Sequence, residues 1–195
     1  YAGDGAILDV GFAANPNPFL KNATGIDIVL PQIKPDNYDE IKACNLNNDD
    51  LPFANGNFDA LIAGDVIEHL ENPSRFLREA NRVLKQNGKL VISTPQANDW
   101  WVACHNWFFR RLIKDPDQGE HLQNWTFLDM TRLLKKNGFT TESIEGFVMR
   151  FPYISLRIPV RKFPALSWQV FYLAKKTHEP NKQILVHVND KWQSI

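Results

Sequence analysis

Residues 58–93 read FDALIAGDVIEHLENPSRFLREANRVLKQNGKLVIS, and the periods within this stretch decide the fold class. FDALIAG (58–64) and KLVIS (89–93) are compact apolar runs without polar alternation, whereas SRFLREANRVLKQ (74–86) repeats Phe76, Leu77, Ala80, Val83 and Leu84 at helical spacing. Asn72-Pro73-Ser74 opens that helix and Asn87-Gly88 closes it, with Gly88 where a left-handed C′ residue is wanted. Apolar runs of this kind indicate strands buried on both faces. A strand, a helix and a second strand in that order predict a mostly parallel sheet in an α/β layer fold.

The pattern extends in both directions. Upstream lie AILDV (6–10), ending at Gly11, then GIDIV (25–29) and a weaker third run, YDEIKAC (38–44). Downstream, TFLDMTRLLKKN (126–137) reads as a helix with Thr126 as N-cap, Asp129 at the capping-box position and Gly138 as the stop. FTTESIEGF (139–147) and SWQVFYLAKK (167–176) read as further strands. The segment between them is broken by Pro152, Pro159 and Pro164 and cannot be one helix. Residues 96–124, with Trp100, Trp101, Trp107, Phe108 and Phe109, are too long and aromatic for a plain connection. The tail 177–195 is polar and expected to be peripheral or disordered. There is no internal repeat and no low-complexity tract.

The 195 residues, 44% apolar, amount to one globular domain with a real core, which excludes a disulfide-stapled miniprotein and disorder over the whole length. Cys44 and Cys104 lack metal-ligand spacing, so no metal is expected and the usage fits a reducing compartment, read as the cytoplasm. No run approaches the roughly 20 apolar residues of a membrane span. The sequence opens at Tyr1 and reaches its first apolar run by Ala6, which suggests residues upstream of Tyr1; no signal peptide can be read from it.

The 22 acidic and 22 basic groups cancel, which argues against a dedicated nucleic-acid binder, but they are not evenly spread. Residues 1–145 carry a net charge of −6, whereas 146–178 hold six bases and no acid: Arg150, Arg157, Arg161, Lys162, Lys175 and Lys176. Within that basic stretch, 147–163 has the composition to touch a phosphate-bearing or lipid-linked acceptor, or a membrane surface peripherally. Its plain reading is a solvated insertion with an apolar side packed on the domain. The plain reading is favoured, because no amphipathic helix of useful length can be drawn there.

In an open parallel sheet the ligand crevice lies beyond the carboxyl ends of the strands. The residues there are Gly11-Phe12-Ala13-Ala14 after the first run, Asp27 within the second, Asn45-Leu46 after the third, Gly64-Asp65 after the fourth and Thr94-Pro95 after the fifth. Asp27 stands where a carboxylate either accepts hydrogen bonds from a ribose diol or caps a loop, and the residues alone leave both open.

ILDVGFAANPNPFLKNATGIDIV, then CNLNNDDLPFANGNFDALIAGDVIEHLENPSRFLREANRVLKQNGKLVISTP and NWTFLDMTRLLKKNGF, resemble the class I S-adenosylmethionine-dependent methyltransferases of the small-molecule (type 11) kind. The resemblance covers about residues 6–147. Its most specific part is LPF, FD, EHL, the leucine-rich helix and the Gly turn, five landmarks in order at the family's intervals. It implies a Rossmann-like, doubly wound, mostly parallel seven-stranded sheet in three layers. One catalytic domain would span 1–176, with insertions at 96–124 and 148–166.

The resemblance also implies S-adenosylmethionine as cofactor, S-adenosylhomocysteine as product and a small-molecule or glycan-type acceptor. Asp9, Gly11, Phe12 and Ala13 match the first motif, where glycine lets backbone approach the methionine part of the cofactor. Asp27 and Ile28 match the ribose-holding segment, and Asn45-Leu46 the segment flanking adenine, with Asn in place of the usual Asp. Gly64 and Asp65 match the strand end that faces the cofactor amino group.

This chain departs from the family pattern at the glycine loop. The usual Gly-x-Gly-x-Gly is here Gly11-Phe12-Ala13-Ala14-Asn15, and only 18 positions separate Asp9 from Asp27, so the first helix is expected to be a turn or two around Asn17–Lys21. A noncatalytic cofactor-binding or scaffold domain is therefore the rival reading. For catalysis of transfer to a hydroxyl, a histidine suits proton removal, and His69 and His121 fall on the crevice side. For His69 the alternative is a buttressing imidazole held by Glu68. For the aromatic cluster of 96–124 it is packing instead of a substrate lid.

Overall fold

The computed structural model describes residues 5–96, 122–123, 125–150, 157–180, 185–188 and 191–194. In chain order the elements are β1 (Ile7–Val10), β2 (Ala23–Asp27), β3 (Tyr38–Ala43), β4 (Phe58–Gly64), a single 3-10 turn at Ile67–His69, α1 (Pro73–Val83) and β5 (Leu84–Pro95). Then follow α2 (Phe127–Lys136), β6 (Phe139–Gly146), β7 (Val148–Arg150), β8 (Arg157–Pro159), β9 (Gln169–Lys176), β10 (Leu185–Val188) and β11 (Lys191–Ser194). Seven strands make one sheet in the order β3-β2-β1-β4-β5-β9-β6. The first five pair in parallel, while β9 runs antiparallel to both β5 and β6. The chain turns from one half of the sheet to the other between β1 and β4, which puts the ligand crevice at their carboxyl ends.

Strand residues alternate between two cores. Leu8 and Val10 of β1 and Leu61 and Ala63 of β4 face α1 and α2, packing with Phe76, Leu77, Ala80, Met130 and Leu134. Ile7 and Ala60 face the other side, where Phe12, Leu20, Ala23 and Tyr38 complete a smaller core. The cover on that side is a surprise: residues 11–22 contain no helix, against the turn or two expected at Asn17–Lys21. Pro16 and Pro18 remove two backbone donors, and the Asn17 side chain accepts from the Phe19 N–H at 3.0 Å, so the segment turns instead of coiling. It is pinned from β3, since Tyr38 Oη accepts from Asn17 N at 3.2 Å and Asn37 Nδ2 donates to Asn17 O and Leu20 O.

Both α-helices among the described residues start as their sequence signals require. Asn72 accepts from Arg75 N with Pro73 in the first turn, and Thr126 accepts from Asp129 N. α1 nevertheless stops at Val83, three residues before the expected end. Leu84 is extended and pairs with Phe58, and the register then shifts before Ala60 pairs with Lys89. The left-handed residue of this turn is Asn87 (φ 66°) and not Gly88.

Short strands also form outside the main sheet. The 148–166 insertion carries a short antiparallel ribbon, β7 with β8, and a 3-10 turn at Pro164–Leu166. In the polar tail, β10 and β11 pair antiparallel, against disorder there and compatible with a peripheral place. No helix among the described residues is long and apolar enough to cross a membrane.

Candidate functional site

A cleft of about 380 Å³ opens at the carboxyl ends of β1 to β4, lined by Gly11, Ile26, Asp27, Ile28, Cys44, Asn45, Leu46, Asn47, Asp65, Val66, His69 and Leu70. Gly11 follows β1 with φ +75° and donates to Ile26 O at 2.8 Å. A Cβ there would stand 2.5 Å from Val66 Cγ2, so both its conformation and its surroundings require glycine. The close approach of backbone to whatever enters the cleft is thereby preserved at this one position.

Asp27 is the last residue of β2. Its Oδ2 accepts from Ala13 N at 2.9 Å, which ties the glycine-poor loop to the strand end. Loop capping and ligand binding are compatible here, because a carboxylate oxygen has two lone pairs and the side chain borders the cleft. On the opposite wall, Asn45 Oδ1 accepts from Asn47 N in a tight turn. Arg75 of α1 holds that turn from below, donating to Leu46 O, Asn48 O and Asp50 Oδ1 at 3.3, 3.0 and 2.8 Å. Sequence reasoning missed Arg75; only its place in the first turn of α1, across from the 45–50 loop, was readable.

The third wall follows β4. Asp65 has a left-handed backbone (φ 52°), and its carboxylate is held by Ser93 Oγ of β5 and Gln169 Nε2 of β9. His69 closes the 3-10 turn and borders the cleft, its N–H bonded to Val66 O. Beside it Glu68 is buried, and burial first, then the Asp65 charge, pushes its carboxyl up to about 7. Its backbone carbonyl accepts from Leu122 N and Gln123 N at 2.9 and 3.2 Å, which brings the end of the aromatic insertion back beside the cleft.

Of the residues expected around the cofactor, Gly11, Asp27, Ile28, Asn45, Leu46 and Asp65 line the cleft, and Asp9, Phe12, Ala13 and Gly64 do not. Asp9 is buried behind it, bonded to the Tyr38 hydroxyl, and burial pushes its carboxyl up to about 6. Phe12 packs into the smaller core against Tyr38, ring centroids 4.8 Å apart, and Ala13 contributes its backbone N–H to Asp27. The first motif therefore supports the loop from behind, with Gly11 alone reaching the wall. His121 and the aromatic residues at 100–109 lie outside the described residues. Among the described residues no group of three or more His, Cys, Asp or Glu could hold a metal ion, and no Lys or Arg lines the cleft.

Comparison with known proteins finds relatives of this sequence and fold. The family model described as a methyltransferase domain matches residues 5–92. An uncharacterized protein of Methanocaldococcus jannaschii is 36% identical over 141 residues, covering 70% of this chain and 64% of that protein. A probable S-adenosylmethionine-dependent methyltransferase of Mycobacterium tuberculosis is 38% identical over 58 residues, 30% of this chain and 21% of the relative. The chain thus spans less than two thirds of either relative. Among solved structures, an S-adenosylmethionine-dependent methyltransferase of Thermotoga maritima, described as a possible histamine N-methyltransferase, superposes with a TM-score of 0.64 at 16% identity, covering 89% of this chain and 82% of that one.

Proposed function

We propose that this chain, whose residues 5–92 match the methyltransferase-domain family model, moves the methyl group of S-adenosylmethionine to a small-molecule or glycan-type acceptor and releases S-adenosylhomocysteine, as a class I S-adenosylmethionine-dependent methyltransferase does. The observation that carries this reading is the convergence of Gly11, Asp27 and Asn45-Leu46, from three successive strand ends, on one cleft. The residues present fit the cofactor. Asp27 offers lone pairs to the ribose diol while its bond to Ala13 N fixes its direction. Leu46 gives the adenine an apolar face, and the Arg75 anchor keeps that face in place. Gly11 leaves room for the methionine part where any side chain would strike Val66.

When bound, the cofactor supplies a sulfonium-activated methyl group. The work left to the protein is to hold acceptor, methyl and sulfur in line in a dry pocket. His69 borders the same cleft and is the residue we assign to proton removal when the acceptor is a hydroxyl. The described residues of 147–163, which hold the β7–β8 ribbon, we read as a solvated surface. Arg161 is paired with Glu145 at 2.7 Å, and Lys176 is buried against backbone carbonyls, so part of the basic stretch already has anionic or carbonyl partners.

Calorimetric titration with S-adenosylmethionine, S-adenosylhomocysteine and a nicotinamide dinucleotide tests the reading. Binding of the first two and not the third is expected; no binding of S-adenosylmethionine overturns it. Labelled methyl transfer into a cell extract, read by mass spectrometry, then identifies the acceptor.

A further inference from the structure

Among the described residues ten large apolar side chains are exposed, and four of them, Phe147, Ile158, Phe163 and Leu166, fall in the insertion between β6 and β9. The two phenylalanines are 57% and 65% exposed, too much for core positions. The backbone that carries them is nevertheless held firmly. Phe147 N donates to Ser167 Oγ at 2.8 Å and to Gln169 O at 3.1 Å, and Phe163 N donates to Val160 O at 2.8 Å. The Phe147 ring meets Phe171 edge-on with centroids 6.0 Å apart, and Val160 and Ser167 are buried. Apolar groups on a loose segment must be ordered before they can dock; these are already in place.

Cations alternate with these apolar groups along the chain. Residues 146–166 contain Arg150, Arg157, Arg161 and Lys162 and no acid, while residues 1–145 carry a net charge of −6. Arg161, paired with Glu145, and Lys162 are both exposed and stand between Ile158 and Phe163. In the ribbon Ile158 is opposite Met149, so it shares a face with Met149 and with Phe147 two positions before. A basic, apolar patch on an acidic body gives the molecule a direction, because an anionic surface attracts the patch and repels the rest. The patch also rises from the edge of the sheet that holds the cleft, since Gln169 at the start of β9 pairs with Pro95 at the end of β5.

We propose that this patch docks the protein peripherally on a bilayer containing anionic lipid, with Phe147, Phe163 and Leu166 entering the headgroup layer and Lys162 meeting lipid phosphates. The arginines of the segment add to the attraction. The surface is solvated in the free protein and is covered only on docking. An amphipathic helix is not required, because the ribbon and the Pro164–Leu166 turn present the side chains. A headgroup layer accepts apolar side chains and pairs cations at once, whereas aliphatic Ile158 and Leu166 offer no ring on which a nucleic-acid base could stack. This docking is independent of what the cleft binds.

Co-sedimentation with vesicles tests it, using phosphatidylcholine alone and two parts phosphatidylcholine to one part phosphatidylglycerol. The wild type is expected to bind the mixed vesicles at least about tenfold more tightly, with the preference shrinking as salt is raised. A cation near an anionic surface is worth roughly fivefold in affinity, so Lys162→Glu, which removes a positive charge and adds a negative one, should weaken that binding by about tenfold or more. Phe163→Ser and Leu166→Ser should each weaken it by about fivefold or more. Ile33→Ser, at an 84% exposed side chain between β2 and β3 near the opposite edge of the sheet, should leave it within about twofold. If circular dichroism shows that Phe163→Ser does not fold, Leu166→Ser and Lys162→Glu carry the test. No preference for mixed vesicles in the wild type, or a preference that survives the patch variants, overturns the proposal. An equal loss in Ile33→Ser means unspecific adhesion and overturns it too. So does tighter binding of a single-stranded oligonucleotide, or a concentration-dependent dimer in sedimentation velocity, that is lost in the patch variants, since either gives the patch another occupant.

Discussion

Tyr38 donates its hydroxyl hydrogen to the buried carboxylate of Asp9, two strands away across β2, and the same oxygen accepts from Asn17 N. Asp9 is thereby a core group and not a ligand group, and burial lifts its pKa from 3.8 to about 6, with the Tyr38 bond partly opposing. A raised folded-state value means that the native protein holds this proton where the unfolded chain has lost it. The contribution to stability is therefore fully favourable below about pH 4 and declines as pH rises through 6. Over pH 4 to 7 the loss amounts to roughly 2 kcal/mol. Urea unfolding of Asp9→Asn should show that part of the decline removed. Glu68, lifted to about 7, acts over an overlapping window, so Asp9→Asn with Glu68→Gln should be flatter still. An unchanged slope in both would show that neither carboxyl is perturbed.

At the cleft itself, Asp27→Ala should weaken S-adenosylmethionine binding at least tenfold by calorimetry, while Asp27→Asn should lose less because it can still accept from Ala13 N. Unchanged affinity in Asp27→Ala would remove Asp27 from the cofactor site.

How much of this was readable beforehand differs by length scale. The β4-α1-β5 unit was legible because FDALIAG and the Phe76-Leu77-Ala80-Val83 pattern carry their own periods and Asn72-Pro73 carries its own cap. The last three residues of the expected helix were misread because pairing of Leu84 with Phe58 outweighs local helix propensity. Asn17–Lys21 was misread for the opposite reason: short-range asparagine and proline chemistry overrode the family's helix. That Asp27, Asn45 and Asp65 border the cleft follows from their places at strand ends, which mark the crevice. The groups that aim them were not, since Gln169 and Asp65 lie 104 positions apart and Tyr38 and Asp9 lie 29 apart, and no local pattern encodes such pairs.

His69 borders the cleft from the turn after β4, and its removal separates chemistry from binding. In His69→Ala, S-adenosylhomocysteine affinity should stay within twofold while turnover on a hydroxyl acceptor falls by about two orders of magnitude. An equal fall in cofactor affinity would make the imidazole a buttress of the turn.

Away from the site, Lys176 is a buried cation that replaces a helix cap. Its Nζ donates to Asn81 O and Leu84 O at 2.7 and 3.2 Å at the end of α1, and meets Glu179 at 3.2 Å. Lys176→Met keeps the stem and strands two carbonyls, which should cost roughly 1–3 kcal/mol in urea unfolding with cofactor affinity unchanged. Glu179→Gln should cost under about 1 kcal/mol, since that side chain is 77% exposed. Equal effects from the two would place the energy in the ion pair and not in the cap.

The glycine-poor loop raises the last question, how Phe12-Ala13-Ala14 keeps its shape without the glycines usual there. The geometry points to filling instead of freedom. Phe12 is 2% exposed and lies on Tyr38, and a Cβ on Gly25 would come within 2.7 Å of its ring. The glycine has in effect moved from the loop to the strand beneath it. Gly25→Ala should then cost roughly 1–3 kcal/mol through overpacking, and Phe12→Ala roughly 3–5 kcal/mol through the cavity it leaves. The double variant should cost less than the sum by about 1 kcal/mol or more, because the added methyl occupies part of the vacated space. Phe12→Ala should also weaken S-adenosylhomocysteine binding, since Ala13 N would no longer be held against Asp27. Additive costs with unaltered affinity would mean that the loop holds its shape without the ring.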